Sequence, residues 1–252
     1  MSMQQVEVKW GSIKGVPEGV EGFLSPAEAE HFSQMGFAVR RQSYLLGRLA
    51  GKLLLLQQPE FASLQPSAIN IANNPSGAPH VLVQGEVIIG SLSLSHSGEL
   101  GMSAYSRTAS FTLGVDAETL APRSAGLVRD FFTPQEAALI AKLPEAEQTE
   151  WINRSWSAKE AVLKAVGVGL RIDTRRVEIL ISSYTVRSDG WQTLQVQSQL
   201  FQAGACQVFS RCEDGFVISL AVLSPKEQIE AFVVNIKQEL LEVPSELCEM
   251  KA

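Results

Sequence analysis

Asp116 and Glu118 stand two residues apart in the run Gly114-Val115-Asp116-Ala117-Glu118. On a strand, both carboxylates project from the same side. Two like charges held that close cost electrostatic energy unless a cation lies between them. Oxygen-only ligands suit a hard ion such as Mg²⁺, which takes one or two protein carboxylates and leaves the rest of its shell to phosphates and water. Two solvated acids at a strand end fit the same spacing. A second cluster is Trp156-Ser157-Ala158-Lys159-Glu160-Ala161-Val162-Leu163-Lys164, running into Gly167. On a helix, Trp156, Glu160, Leu163, Lys164 and Gly167 form one stripe. Glu160 and Lys164 at that spacing make an ordinary surface pair. Their place on the Trp156 and Leu163 face instead implies partial burial, where a charged pair more often has a role in chemistry. The third cluster is Ser93-Leu94-Ser95-His96-Ser97-Gly98, in which imidazole and hydroxyl groups can all donate to a phosphate oxygen. A histidine that caps the turn is the plainer reading.

Three carboxylates, a histidine and a lysine are an inventory for phosphoryl-type chemistry on a pyrophosphate. The elements that must position them can be read from the pattern. Val6 to Ile13 alternates as a strand. Ser25-Pro26-Ala27-Glu28 has the order of a helix start, and Thr133-Pro134-Gln135-Glu136 repeats it. Leu45, Leu49, Leu53 and Leu56 recur at helical spacing within a helix expected from Phe37 to Gln57, which also carries Arg40, Arg41, Arg48 and Lys52. The loop Asn73 to Pro79 is turn chemistry. Strands are expected at 81–83, 87–94, 102–106 and 111–115, then helices at 124–132, 134–142 and 147–166. Alternating strands follow from Arg176 to Leu223, and Pro225 opens a final amphipathic helix to Leu241. Helices then strands, twice over, imply two α+β halves of similar plan, without a clean repeat in the sequence itself.

Composition narrows the class. The 252 residues carry 21 Lys and Arg against 27 Asp and Glu, a formal charge of −6, with 45% hydrophobic residues. That is a foldable globular balance, and a net-acidic chain without a long basic run is a poor nucleic-acid binder. The acidic excess lies in the C-terminal third. Residues 31–59 hold four Lys and Arg and no acid, a local field that attracts phosphates. Cys206, Cys212 and Cys248 are odd in number and widely spaced, so buried thiols in a reducing cytoplasm are expected rather than disulfides or zinc. No apolar run is long enough to span a bilayer, and neither membrane nor nucleic-acid partners are expected.

Taken in order, Arg41-x5-Gly47-Arg48, Gly77-Ala78-Pro79, Ser95-His96-Ser97, Gly114-Val115-Asp116-Ala117-Glu118 and Trp156-x-x-Lys159-Glu160-Ala161-x-x-Lys164 resemble the 4′-phosphopantetheinyl transferases. The nearer likeness is to the two-domain type that activates peptide and polyketide synthetases. The resemblance implies an α+β fold of two similar half-domains packed as a pseudo-dimeric monomer, 1–115 and 116–252, with the active site between them. It implies Mg²⁺-dependent transfer of the phosphopantetheine arm of coenzyme A to a serine of an apo acyl or peptidyl carrier protein, releasing 3′,5′-ADP. Asp116, Glu118 and Glu160 would hold Mg²⁺. Glu160, directly or through a water, would take the serine proton, and Lys164 would stabilise charge at the reacting phosphate. Arg41, Arg48, Lys52, Ser95, His96 and Lys159 would contact coenzyme A, and Gly77 and Pro79 would border its adenine. Ala78 stands where members often have Lys, and Ala27 to His31 where they often carry bases, which leaves Arg40 and Arg41 as replacements for the 3′-phosphate. A coenzyme A- or carrier-binding homologue without catalysis, and a hydrolase of another pyrophosphate, are the competing readings.

Overall fold

The computed structural model describes residues 4–224 and 232–243. Contacts divide them into two units, one of Gln5–Ala109 together with 233–243, the other of 110–224 together with Gln4 and Phe232.

The first unit begins with strand β1 (Gln4–Lys14), then helices α1 (Pro26–Ser33) and α2 (Ala38–Leu56). Strands β2 (Ile69–Asn73), β3 (Pro79–Val83), β4 (Glu86–Val87), β5 (Ser91–Ser97) and β6 (Leu100–Ser106) follow. The second unit starts with β7 (Thr112–Thr119), which runs through the expected division at Val115. Helices α3 (Ala125–Phe131), α4 (Pro134–Ile140) and α5 (Glu145–Val166) come next. Strands β8 (Val177–Val186), β9 (Gln192–Ser198), β10 (Cys206–Glu213) and β11 (Phe216–Leu223) complete it. Its sheet has the order β7-β11-β10-β9-β8. The first unit has two sheets, β2-β3-β4 and one in which Phe232–Gln238 (β12) stands at the edge of the order β12-β1-β6-β5. Strand β12 (Phe232–Gln238) is the first departure from the sequence reading. A helix was expected from Pro225 to Leu241, but 232–238 is an edge strand whose Phe232 and Val234 turn inward, while 225–231 lie outside the described residues. The expectation of buried thiols holds for Cys206 and fails for Cys212, which is exposed; Cys248 is outside the described residues.

The two units share a device that the sequence did not display as a repeat. In α1, Ser25 and Glu28 form a complete capping box. The same Glu28 carboxylate accepts the amide of Ile71 at 3.0 Å and pairs with Lys52 Nζ at 2.5 Å. Lys52 also donates to the carbonyls of Phe23 and Pro66, at 2.6 and 3.0 Å. In α4, Thr133 and Glu136 form the same box. Glu136 accepts the amide of Ile179 at 2.8 Å and pairs with Lys159 at 2.8 Å. Lys159 donates in turn to the carbonyls of Thr174 and Val177. One carboxylate thus caps a short helix, holds a strand amide and neutralises a lysine from the long helix. Both lysines are fully buried, and burial pulls both ammonium groups below their ordinary range, with the partner carboxylates opposing.

Around these pairs each long helix lays its apolar face on its sheet. Leu46, Leu49, Leu53 and Leu54 of α2 join Val81 and Leu92 in one core. Ala161, Val162 and Leu163 of α5 join Val177, Ile179 and Val208 in the other.

Removing one partner of a buried pair strands the other charge. Lys52→Met or Lys159→Met is therefore expected to cost about 3–5 kcal/mol in urea unfolding. The double variant Lys52→Met, Glu28→Gln should recover part of that loss.

Candidate active site

Strand β7 and helix α5 meet at Gly114. A Cβ there would collide with the carbonyl oxygen of Ala161 and lie 2.7 Å from the amide of Ala165, so only glycine allows this approach. Thr112 ties the same strand to the helix, its hydroxyl donating to the Ala165 carbonyl at 2.7 Å. Gly167, at φ 80°, ends α5 in the left-handed conformation that a side chain resists. The strand therefore continues through Asp116 and Glu118 beside the helical residues Glu160 and Lys164.

Asp116 is buried, and its Oδ1 accepts from Lys164 Nζ at 2.8 Å. Lys164 also donates to the Val115 carbonyl at 2.9 Å. Glu160 lies within electrostatic reach of Asp116, Glu118 and Lys164. Its carboxyl is pushed up to about 8, by burial first and then by the negative charge of Asp116 and Glu118, while Lys164 pulls it down. Two acids held near each other in a partly buried place, with oxygen the only donor type, are chemistry that a hard divalent cation fits. Asp116 and Glu160 are suited to hold one. Glu118 is placed differently. Its Oε1 accepts from Trp156 Nε1 at 2.8 Å, and its Oε2 from Arg123 Nη2 at 2.6 Å. Among the described residues no group of three or more His, Cys, Asp and Glu is arranged to hold a metal ion. The three expected ligands are thus neighbours, but they are not drawn round one centre.

A second cluster lies within the unit of Gln5–Ala109. A cleft of about 290 Å³ is lined by His31, Arg40, Tyr44, Arg48, Ser95 and His96, with Gly47 on its wall. A Cβ added at Gly47 would meet only open space, so the absent side chain leaves the cleft clear. Arg48 sits 4.5 Å over the Tyr44 ring and 3.3 Å from Glu28, which fixes the guanidinium at the cleft wall. Arginine, histidine and hydroxyl donors in one concavity suit an anion carrying several oxygens.

Of the residues expected to contact coenzyme A, Arg48, Ser95 and His96 come together here, as does the replacement Arg40. Lys52 and Lys159 are corrections: both are sealed in the core with their ammonium groups spent on carboxylates and carbonyls, and neither reaches a ligand. Arg41 stacks on Phe32 at 4.1 Å and does not line the cleft. Gly77 and Pro79 belong to the turn and strand that follow Asn73; only Asn73 of that hairpin faces the cleft. Sequence reasoning passed over Arg123, Asn153 and Tyr44. Arg123 offered no signal, since a loop arginine after a strand is ordinary. Tyr44 had one: it stands four residues before Arg48, on the same helical face.

Comparison with known proteins finds one family model, two relatives and one solved structure that the chain resembles. Residues 112–221 match the model of the 4′-phosphopantetheinyl transferase superfamily. The chain is 29% identical over 152 residues to the 4′-phosphopantetheinyl transferase HetI of Nostoc sp., covering 58% of this chain and 61% of that one. It is 24% identical over 176 residues to the 4′-phosphopantetheinyl transferase Sfp of Bacillus subtilis, covering 69% and 71%. A solved holo-(acyl-carrier-protein) synthase from Bacillus anthracis aligns with a TM-score of 0.35 at 19% identity, over 45% of this chain and 95% of that one. The chain spans about three fifths of the length of the Synechocystis sp. and Nostoc sp. relatives that it matches.

Glu160 also makes a prediction about stability. Its folded value of about 8 lies above the ordinary 4.5, so between the two the folded chain binds more protons than the unfolded one. The stability from that proton is present below about pH 4.5 and is lost as pH rises through about 8. Without added metal, the melting temperature should fall by several degrees across this window. Glu160→Gln should flatten the profile, as differential scanning fluorimetry against pH would report.

Proposed function

We propose that this chain, so similar to the 4′-phosphopantetheinyl transferases over residues 112–221, transfers the phosphopantetheine arm of coenzyme A to a serine of an apo carrier protein. The observation that carries the reading is the ion pair of Lys164 on α5 with Asp116 on β7, with Glu160 in the same charge cluster, all within the matched segment. In the reaction the serine Oγ forms a bond to the β-phosphorus, the one that bears the pantetheine arm. The pyrophosphate P–O bond breaks, and 3′,5′-ADP leaves. Asp116 and Glu160 would hold Mg²⁺, whose charge would neutralise the pyrophosphate.

The chain's own groups do the rest. Glu160, once ionised, accepts the serine proton directly or through a water. A carboxylate that also holds a cation is a weak base, which favours the route through water. Lys164 holds Asp116 in place and contributes positive charge beside the reacting phosphate. Arg40, Arg48 and His96 offer donors for a coenzyme A phosphate. Little covalent help is needed for such a displacement, so positioning and charge supply most of the rate.

A panel of apo carrier domains with coenzyme A and Mg²⁺ tests the reading by mass spectrometry. At least one carrier should gain a single phosphopantetheine. Asp116→Ala and Glu160→Gln should each lower turnover by about 10²-fold or more with the fold retained. His96→Ala should raise KM for coenzyme A more than it lowers kcat. A well-folded chain that modifies none of the carriers overturns the transfer. The hold of Arg123 and Trp156 on Glu118 favours one second reading, a coenzyme A-binding homologue without catalysis. Calorimetric binding of coenzyme A that ignores Mg²⁺ would select it.

A further inference from the structure

Both carboxylate oxygens of Glu118 are taken by protein donors, and the stronger one carries a charge. Arg123 Nη2 donates to Oε2 at 2.6 Å and also reaches the Thr119 carbonyl at 3.4 Å. The guanidinium is held from behind: its Nε donates to Asn153 Oδ1 at 2.6 Å. Asn153 is fully buried on α5, and its amide nitrogen donates to the carbonyls of Ala121 and Thr149, at 2.7 and 2.8 Å. Those two carbonyls leave the amide one orientation, so its oxygen must face Arg123. Trp156, on the same helix as Asn153, fixes the other oxygen of Glu118. Arg123 is therefore locked onto Glu118 by a buried residue, which an ordinary surface ion pair is not.

A carboxylate cannot give its full charge to a metal while it gives it to a guanidinium. We propose that Arg123 competes with the divalent cation for Glu118 and thereby sets the metal affinity of the Asp116, Glu118 and Glu160 cluster. This rests on the reading of that cluster as the metal site of the proposed transferase. Arg123 is a positioning residue here, acting through Glu118 and touching no reacting atom. Its charge opposes a second cation nearby, and its hydrogen bond withholds a ligand, so both effects lower affinity.

The test is Mn²⁺ binding by the full chain, read as free Mn²⁺ by electron paramagnetic resonance, without coenzyme A or carrier. Arg123→Gln should lower Kd by about tenfold, the scale of one charge-assisted hydrogen bond. In a Glu118→Gln background the same change should move Kd by less than about twofold, because the contested carboxylate is gone. Arg123→Lys loses the planar fork that joins Asn153 to Glu118, and it carries the test if the glutamine variant does not fold. A lowered Kd then supports the competition and an unchanged one overturns it. An unchanged or raised Kd in Arg123→Gln overturns the proposal, as does equal tightening with and without Glu118. Absence of Mn²⁺ binding in both parent and variant overturns it too. The carrier assay is read separately: a modified carrier with unmoved Kd sinks only the competition, and a lowered Kd with no modified carrier sinks only the transfer.

Discussion

A carboxylate buried against a lysine, inside a helix cap, is the constraint on which each unit is built. Glu28 and Glu136 each satisfy a helix start, a strand amide and a core ammonium at once. Burying either charge alone would cost several kcal/mol, so each must meet its partner before the core can close. That requirement fixes the short helix, the long helix and the first strand after it in one relation. The apolar contacts of α2 and α5 then fill the space that the pair has defined. Hydrophobic area supplies most of the gain, but it is not directional; the ion pair supplies the register.

The chemistry of the second unit follows from that register. Lys159 points into the core toward Glu136, and Glu160 follows it directly on α5. Anchoring one sets the rotation of the helix, so the next residue must face β7, where Gly114 lets the strand come close. Asp116 then meets Glu160 and Lys164 in a half-buried place, where charge effects are stronger than in water. A lysine that looked like a ligand contact is the fixture that aims the acid beside it.

The same frame serves a different end in the first unit. Lys52 is followed by the buried Leu53, where Lys159 is followed by Glu160. Three residues beyond the closing pair of each hairpin, Ser103 in β6 faces Gly11, and Ser219 in β11 faces Asp116. The acid cluster is absent from these places, and a cleft with Arg40, Arg48 and His96 stands along α2 and β5 instead. One copy of the plan gathers negative charge and the other positive. Whole-chain charge, at −6, hides that division.

The sequence by itself determined what depends on near neighbours. Ser25 with Glu28 and Thr133 with Glu136 announced their capping boxes, because a cap is made within one turn. Alternation and helical spacing marked β7, α2 and α5, and the paired motifs around Asp116 and Glu160 named their chemistry. Only the tertiary structure decided which face of each helix is inside. A lysine in a helix reads alike whether it reaches solvent or a carboxylate more than twenty residues away, which is why Lys52 and Lys159 were misread. The strand at 232–238 was misread for a like reason: its partner β1 lies at the other end of the chain. Arg123 depends on Asn153 and Glu118 meeting across a loop and a helix. Local backbone preferences are written in adjacent residues, whereas burial and charge pairing belong to contacts that exist only once the chain has closed on itself.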